Sequence, residues 1–167
     1  NIVLSEGVTS IGENAFIGCS SLSNINIPEG VTSIGDRCFF GCSSLSNINI
    51  PEGVTSLGDM CFYRCLSLTS ITIPQTIANI GDNAFCGCQN LTACNFPSTL
   101  TRIGKNAFNG CSKLTGFVSF GNSLTTLGDR VFTNCYKITG FYIPATLTDI
   151  GTEAFAHCNG ITYFAGN

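Results

Sequence analysis

One block of about 23 residues recurs seven times along this chain of 167 residues and leaves almost no sequence outside it. Glycine, phenylalanine and cysteine each return at one position of the block, and every step is 23 residues except one of 24. The members are Gly12, Gly35, Gly58, Gly81, Gly104, Gly128 and Gly151; Phe16, Phe39, Phe62, Phe85, Phe108, Phe132 and Phe155; and Cys19, Cys42, Cys65, Cys88, Cys111, Cys135 and Cys158. Such a period is typical of a solenoid, in which each repeat packs only on its neighbours. We therefore expect a single elongated array over residues 1–167.

Each block begins with a short strand and ends with a turn segment. In the second block Ile25 and Ile27 alternate with asparagines, so we expect the isoleucines to point into the core. Pro28 ends the strand because it has no N–H to donate. Gly35 marks a site of positive φ or of close packing. Asp36 follows it and is interpreted as the N-cap of a short helical segment.

The second block reads IPEGVTSIGDRCFFGCSSLSNI, preceded by an LxxLxL segment at residues 22–27. This resembles the BspA-like leucine-rich repeats, whose pattern is close to IPxxVTxIGxxAFxxCxxLxxI, and the resemblance covers essentially the whole chain. It implies an α/β solenoid, a right-handed superhelix with a concave parallel β-sheet and short helical or 3-10 turns on the convex side. It also implies a cell-surface or secreted protein that adheres to a host or matrix protein or to a glycan.

Composition narrows the classes of partner. Charged residues are 10% of the chain, the net charge is −3, and the basic residues are scattered, which argues against nucleic acid as a ligand. No apolar run approaches the roughly 18 residues of a spanning helix, so we expect no membrane insertion by this segment. The chain begins and ends inside repeats without polar capping units, and we expect it to be a fragment of a longer protein.

Eleven cysteines invite a disulfide or metal interpretation, but their positions favour a structural one. Seven form the ladder above, and most of the others replace apolar residues of other repeats. Because free cysteine behaves as a small buried apolar side chain, we predict a ladder of buried thiols. Occasional bridges between stacked repeats remain an alternative. Zinc is disfavoured because Cys86 and Cys88 are spaced as CxC and His157 is the one histidine.

No catalytic apparatus is recognisable in the sequence. His157 adjoins Cys158, but neighbours on a short turn point apart and no third group orients them, so we interpret His157 as a surface residue. Phosphate-loop, dinucleotide, serine-hydrolase and zinc-protease motifs are absent from the sequence. We therefore predict that the chain is not an enzyme and uses no metal or cofactor.

The outward strand positions carry no charge and change along the stack from asparagines to small residues and tyrosines. Exposed aromatic residues are enriched at interfaces. The 24-residue step inserts one residue near residues 117–120, which indicates a bulge or a loop shift. The candidate ligand-binding residues on the concave face are Val118, Tyr142, Tyr163, Asn95 and Thr72. The alternative is structural: asparagines bonding one another, and Tyr163 covered by a further repeat.

The leading functional hypothesis is a non-catalytic module that binds a protein or glycan through the concave sheet of an adhesin-like surface protein. The alternative is a structural spacer or an intracellular scaffold with no ligand of its own. Asn90 begins the sequon Asn-Leu-Thr, which is either a glycan acceptor in a protein secreted by a eukaryote or a chance match.

Overall fold

Two parallel ladders of short strands run along the stack. The computed structural model describes residues 2–166, and its backbone is a parallel β-solenoid of about seven turns. The strands that begin the repeats form what we call the first sheet: β1 (Ile2–Val3), β3 (Ile25–Asn26), β6 (Ser70–Thr72), β8 (Ala93–Asn95), β10 (Thr115–Ser119), β12 (Lys137–Ile143) and β14 (Tyr163–Gly166). Within it β1 pairs with β3, β6 with β8, and β12 with both β10 and β14. In the third repeat the strand is reduced to one bridge between Asn49 and Thr72.

The second sheet lies after the turn that follows each first-sheet strand, and this turn contains proline in five of the seven repeats. Its strands have two residues each: β2 (Ser10–Ile11), β4 (Ser33–Ile34), β5 (Ser56–Leu57), β7 (Asn79–Ile80), β9 (Arg102–Ile103), β11 (Thr126–Leu127) and β13 (Asp149–Ile150). β5, β7, β9, β11 and β13 form one continuous parallel ladder, and β2 pairs with β4. The second residue of nearly every strand is buried and the first is mostly exposed, as the period-2 pattern of a half-buried strand requires.

The third side of the solenoid contains turns and no helix anywhere in residues 2–166, so the prediction of helical or 3-10 turns was wrong. The chain there adopts the left-handed region at Arg37 (φ 53°), two residues after the repeat glycine, and at the corresponding residue of every repeat. Backbone N–H groups then donate to the next repeat: Phe62 N to Ala84 O at 2.8 Å and Phe85 N to Ala107 O at 2.7 Å. A helix would direct these bonds within one repeat, whereas the turns direct them between repeats. The described residues accordingly include no helix long and apolar enough to cross a membrane.

The aspartates after the repeat glycines bond between repeats as well, so the N-cap interpretation was wrong. Asp36 Oδ1 accepts the N–H of Asp59 at 2.9 Å, and Asp59 Oδ1 accepts that of Asp82 at 2.7 Å. The series continues from Asp82 to Lys105 at 2.9 Å. Each carboxylate therefore satisfies a backbone donor at the corner of the following repeat, where the second sheet ends.

Stacked phenylalanines form the centre of the core, as the repeat predicts. The rings of Phe39, Phe62, Phe85 and Phe108 are fully buried and lie 5.0–5.4 Å apart between centroids. Their planes are within 15° of parallel, and neighbours at this distance in an offset stack attract each other beyond the burial of apolar area. The inward strand positions are confirmed too, since Ile25 and Ile27 are 3% and 2% exposed.

The cysteine ladder is buried beside the phenylalanines from the second repeat on, Cys19 is half-buried, and all eleven cysteines are free thiols. Each ladder thiol from the second repeat on donates to a phenylalanine carbonyl of the preceding repeat, as Cys88 Sγ does to Phe62 O at 3.1 Å and Cys111 Sγ to Phe85 O at 3.2 Å. The thiol is thus both a small apolar filler and a weak hydrogen-bond donor for a buried carbonyl.

The repeat glycine is required by close approach between repeats. A Cβ on Gly81 would lie 2.7 Å from the backbone nitrogen of Asp59 and 2.7 Å from the carbonyl carbon of Gly58. Real Cβ atoms do not come this near to backbone atoms, so only glycine lets consecutive corners stack. Close packing, and not positive φ, therefore explains the glycine ladder.

Candidate binding surface on the first sheet

The outward residues of the first sheet are uncharged, apart from the exposed Lys137 that begins β12. Because side chains alternate across each strand, one set points to the core and the other to solvent. The outward set is Asn24, Asn26, Asn47, Asn49, Ser70, Thr72, Ala93, Asn95, Phe117, Ser119, Gly140, Tyr142, Tyr163 and Ala165. This face therefore offers amides and hydroxyls at one end, where Val3 also lies exposed opposite Asn26, and aromatic rings at the other.

The predicted site residues fall into two groups. Thr72 and Asn95 are exposed and directly opposite each other on β6 and β8. Tyr142 is half-buried on β12, and Tyr163 on β14 is 62% exposed. The tyrosines lie on neighbouring strands, with Tyr163 opposite Gly140. The described first sheet is interrupted between the two groups, since β8 pairs only with β6 and β10 only with β12.

Val118 was predicted to point outward, and that prediction was wrong, because its exposure is 6%. The pairing of β10 with β12 shifts between Gly116 and Phe117, and Gly116 has a φ of 87°. Beyond the shift Phe117 lies opposite Gly140 and Val118 opposite the buried Phe141. Thr115 N–H donates to Thr92 O as Thr162 N–H does to Thr139 O, so Thr115 and Thr139 hold the same repeat position, and Phe117 opposite Gly140 leaves Gly116 as the extra residue. The pairing accommodates it by skipping Thr139 of β12, and Gly116 itself lies opposite Ile138. The bulge turns Val118 into the core and gives its outward position to Phe117.

Phe117 and Tyr163 form an exposed aromatic pair across Gly140. Phe117 is 48% exposed, and its ring centroid is 6.3 Å from that of Tyr163, with the planes tilted by 33°. A Cβ on Gly140 would lie 2.9 Å from two atoms of the Phe117 ring, so glycine at this position gives that ring its space. We call Phe117, Gly140, Tyr142 and Tyr163 the aromatic patch. Its exposed apolar area, rimmed by hydroxyl groups, is typical of a binding surface.

A cleft of about 300 Å³ opens beside the aromatic patch, where β8 and β10 separate. Backbone and side chains of both strands form its walls, and Phe96, Leu114 and Val118 lie at its floor. Leu114 and Val118 are core residues with 2% and 6% exposure. The cleft is therefore bordered in part by core side chains.

Cys94 lines this cleft and is half-buried. Burial raises the pKa of its thiol well above the ordinary value, and the nearby Cys88 raises it further. A thiol whose pKa is raised stays protonated at neutral pH, and the protonated form is a poor nucleophile. Cys94 thus contributes an apolar surface to the cleft.

The remaining candidate sites do not assemble in the described part of the chain. His157 is exposed, with a φ of 59°, at the turn position that glycine holds in four repeats, while the neighbouring Cys158 is buried. Among residues 2–166 no group of three or more metal-ligating side chains converges. Asn90 Nδ2, which would carry a glycan, donates to Leu66 O at 2.7 Å, and Lys113 Nζ donates to Asn90 Oδ1 at 2.6 Å.

Comparison with known proteins agrees with the fold. The family model "BspA type leucine rich repeat region (6 copies)" matches residues 1–115 and again residues 39–162. No curated protein sequence matches the chain. A leucine rich cell surface protein of Faecalibacterium prausnitzii is similar in structure, with a TM-score of 0.74 and 26% identity over 98% of this chain and 52% of that one.

Two further solved structures are similar. The leucine-rich repeat protein of T. pallidum has a TM-score of 0.70 and 26% identity, over 82% of this chain and 77% of that one. A leucine-rich repeat protein of Bacteroides ovatus has a TM-score of 0.56 and 25% identity, over 96% and 59%. The chain thus spans about half of the Faecalibacterium protein. With the repeat pattern matched from residue 1 to residue 162, the chain belongs to the BspA-type leucine-rich repeat family.

Proposed function

We propose that the chain is a non-catalytic module that binds a protein or a glycan through the outer face of the first sheet, with the contact centred on the aromatic patch. The observation that carries the proposal is the exposed, uncharged pair Phe117 and Tyr163, spaced by Gly140. Aromatic rings of this kind supply large contact area with little loss of side-chain entropy and form the anchors of many interfaces.

The chemistry of the face favours some ligands over others. Its outward residues carry hydroxyl, amide and aromatic groups, and the one cationic side chain among the described first-sheet strands is Lys137 at the start of β12. Such a surface suits polypeptide or sugar, whereas a phosphate backbone requires lysine or arginine. The chemistry therefore supports a host or matrix protein or a glycan as the partner.

A location at the cell surface fits this role. The similar protein from Faecalibacterium prausnitzii is described as a leucine rich cell surface protein. On this proposal the chain is a segment of a cell-surface or secreted protein and presents its first sheet to partners outside the cell.

A structural spacer is the second candidate, and the hydrogen bonding between repeats favours it. Backbone bonds join consecutive repeats at the second sheet and on the turn side, and hydroxyls add further ones, such as Thr92 Oγ1 to Thr69 O at 3.0 Å. This network stiffens the array whether or not it binds a ligand. A spacer, however, gives no reason for an exposed aromatic patch at one place.

Alanine substitution distinguishes the two candidates. Phe117→Ala and Tyr142→Ala are each expected to weaken binding to a responsive member of a panel of immobilised matrix proteins and glycans by at least about tenfold, the effect of an interface anchor. Surface plasmon resonance provides the measurement, and the melting temperature should change little because neither side chain is fully buried.

Asn26→Ala is the matched control, since Asn26 is an exposed outward residue far along the same face. We expect this variant to bind like the unaltered protein. Equal losses in all three variants would extend the site over the whole face. Unchanged binding in all three, or no binding partner in the panel, would contradict the patch as the site and favour the spacer.

A further inference from the structure

The break between β8 and β10 leaves two open strand edges facing each other. β8 is hydrogen-bonded to β6 on one side and β10 to β12 on one side, and no ladder joins β8 to β10 in the described residues. A strand inside a parallel sheet presents N–H and C=O groups to both of its neighbours. The facing edges of β8 and β10 are therefore a template for pairing with another chain.

The gap is closed at both ends. Before it, Thr115 N donates to Thr92 O at 3.2 Å. After it, the rings of Phe96 and Phe120 meet edge to face with centroids 5.2 Å apart. Between these two points β10 has one residue more than β8, namely Gly116, and the surplus length makes β10 arch away. The result is a bounded opening of about 300 Å³. Among the described residues, ladder pairing is also missing between β3 and the third repeat, so it is the inserted residue together with the opening that distinguishes this place.

The lining of the gap specifies the chemistry of an occupant. Core side chains Leu114 and Val118 form an apolar floor, while the walls carry the open backbone edges. An extended peptide matches both features, because its backbone donates and accepts on two sides and its side chains alternate between floor and solvent. A sugar has no such periodic row of donors and acceptors. β8 spans three residues, so the gap matches about three residues, or roughly 10 Å, of extended chain.

We propose that the gap between β8 and β10 binds an extended, uncharged segment of a partner polypeptide as an inserted parallel or antiparallel strand. This rests on the proposed binding function and narrows its partner to a protein. The aromatic patch contacts the partner's surface beside the inserted segment, because Phe117 belongs both to the patch and to the wall of the gap.

The probe is a synthetic pentapeptide of alternating threonine and valine, blocked at both ends, with an analogue methylated at alternate backbone nitrogens as its control. In NMR titrations the unmethylated peptide is expected to shift the amide signals of residues 93–95 and 116–119 saturably and to slow their hydrogen exchange. The methylated analogue lacks the donors for strand pairing and is expected to bind at least tenfold more weakly. Equal binding of the two peptides, or no shift with either, overturns the proposal.

Deletion of Gly116 tests the origin of the gap. Without it Phe117 aligns with Ala93, Val118 with Cys94, and the 23-residue step returns. The deletion variant is expected to pair β10 with β8, to melt no lower than the parent, and to lose peptide binding at least tenfold while Phe117 stays exposed. Retained peptide binding by the folded deletion variant overturns the proposal. If that variant does not fold, the proposal is tested on the unaltered protein alone, by comparing the binding of the peptide with that of its methylated analogue.

The test separates this inference from the broader proposal. One outcome is partner binding that depends on Phe117 and Tyr142 and yet survives deletion of Gly116. That result would reject the inserted strand and leave the aromatic patch as the proposed binding site. An oligosaccharide that shifts the amides of residues 93–95 and 116–119, when the pentapeptide does not, would likewise reject a peptide occupant.

Discussion

Replacing Phe85 with alanine is expected to lower the free energy of unfolding by about 3–5 kcal/mol. The ring is fully buried and stacks between Phe62 at 5.2 Å and Phe108 at 5.0 Å, so the substitution removes contacts with both neighbouring repeats. Because a solenoid is stabilised by interfaces between adjacent repeats, the loss is concentrated at the middle of the stack. Denaturant unfolding followed by circular dichroism should therefore show a lower midpoint and a broadened or two-step transition.

Phe16→Ala is the matched control. Phe16 belongs to the first repeat of the chain, is half-buried, and stacks on Phe39 alone, with a centroid distance of 5.4 Å. We expect a smaller loss of stability and a single transition for this variant. A Phe85→Ala protein that unfolds like the parent would show that the phenylalanine ladder does not hold the repeats together.

Raising the pH above about 9 is expected to unfold the protein, because its buried thiols resist ionisation. Burial raises the pKa of Cys42 to about 11 and those of Cys38 and Cys88 to about 12. The ordinary pKa of a cysteine thiol is 9.0, so the unfolded state loses its protons first. The stability contributed by neutral thiols is fully present below that pH and is lost as the pH rises through the folded-state values.

The size of this effect follows from the same pKa differences. At pH 11 each of the three thiols removes on the order of 2 kcal/mol, and together they remove a large part of the whole stability of a typical domain. Unfolding is therefore expected between about pH 9 and pH 11, with a rise in thiolate absorbance at the same pH. Stability between pH 5 and pH 8 should vary little, with reductant present throughout. Titration of the cysteines near pH 9 while the circular dichroism signal stays native would contradict the buried ladder.

The core and the strands were predictable because their signals repeat. Phe85 and Cys88 recur in phase in every block, and Ile25 and Ile27 alternate with polar residues in the LxxLxL segment. Seven parallel observations of one pattern identify an inward position far better than one block does. The burial of these residues in the structure confirms that part of the prediction.

The turn side was not predictable from the same pattern. Gly-Asp followed by an alanine and a phenylalanine is typical of a helix start, and aspartate is a good N-cap. Two residues after the glycine, asparagine favours the left-handed φ in three repeats, at Asn14, Asn83 and Asn106. Arg37 and Met60 hold the same position in other repeats and give no such indication. Bonding to the next repeat, which decides the geometry, is a property of the stack and is invisible in one block.

The binding surface was predicted in part. The 24-residue step indicated an insertion near residue 117, but the step alone does not say which residue is extra. The assignment of Val118 to the outward face aligned it with Asn95, which requires the extra residue to follow Val118, whereas Gly116 precedes it. A signal was present: omitting Gly116 aligns Val118 with Cys94 and Phe120 with Phe96, and restores the alternation. The width of the resulting gap depends on backbone geometry and follows from no sequence pattern.

Amide hydrogen exchange across residues 2–166 tests the central claim, that the insertion of Gly116 interrupts the first sheet and creates a binding site. The account predicts fast exchange at part of residues 93–95 and 116–119, beside slow exchange where β6 pairs with β8 and β10 with β12. Deletion of Gly116 is predicted to make exchange in both segments slow. Protection between β8 and β10 in the unaltered protein equal to that between β6 and β8 would contradict the open gap and the site built on it.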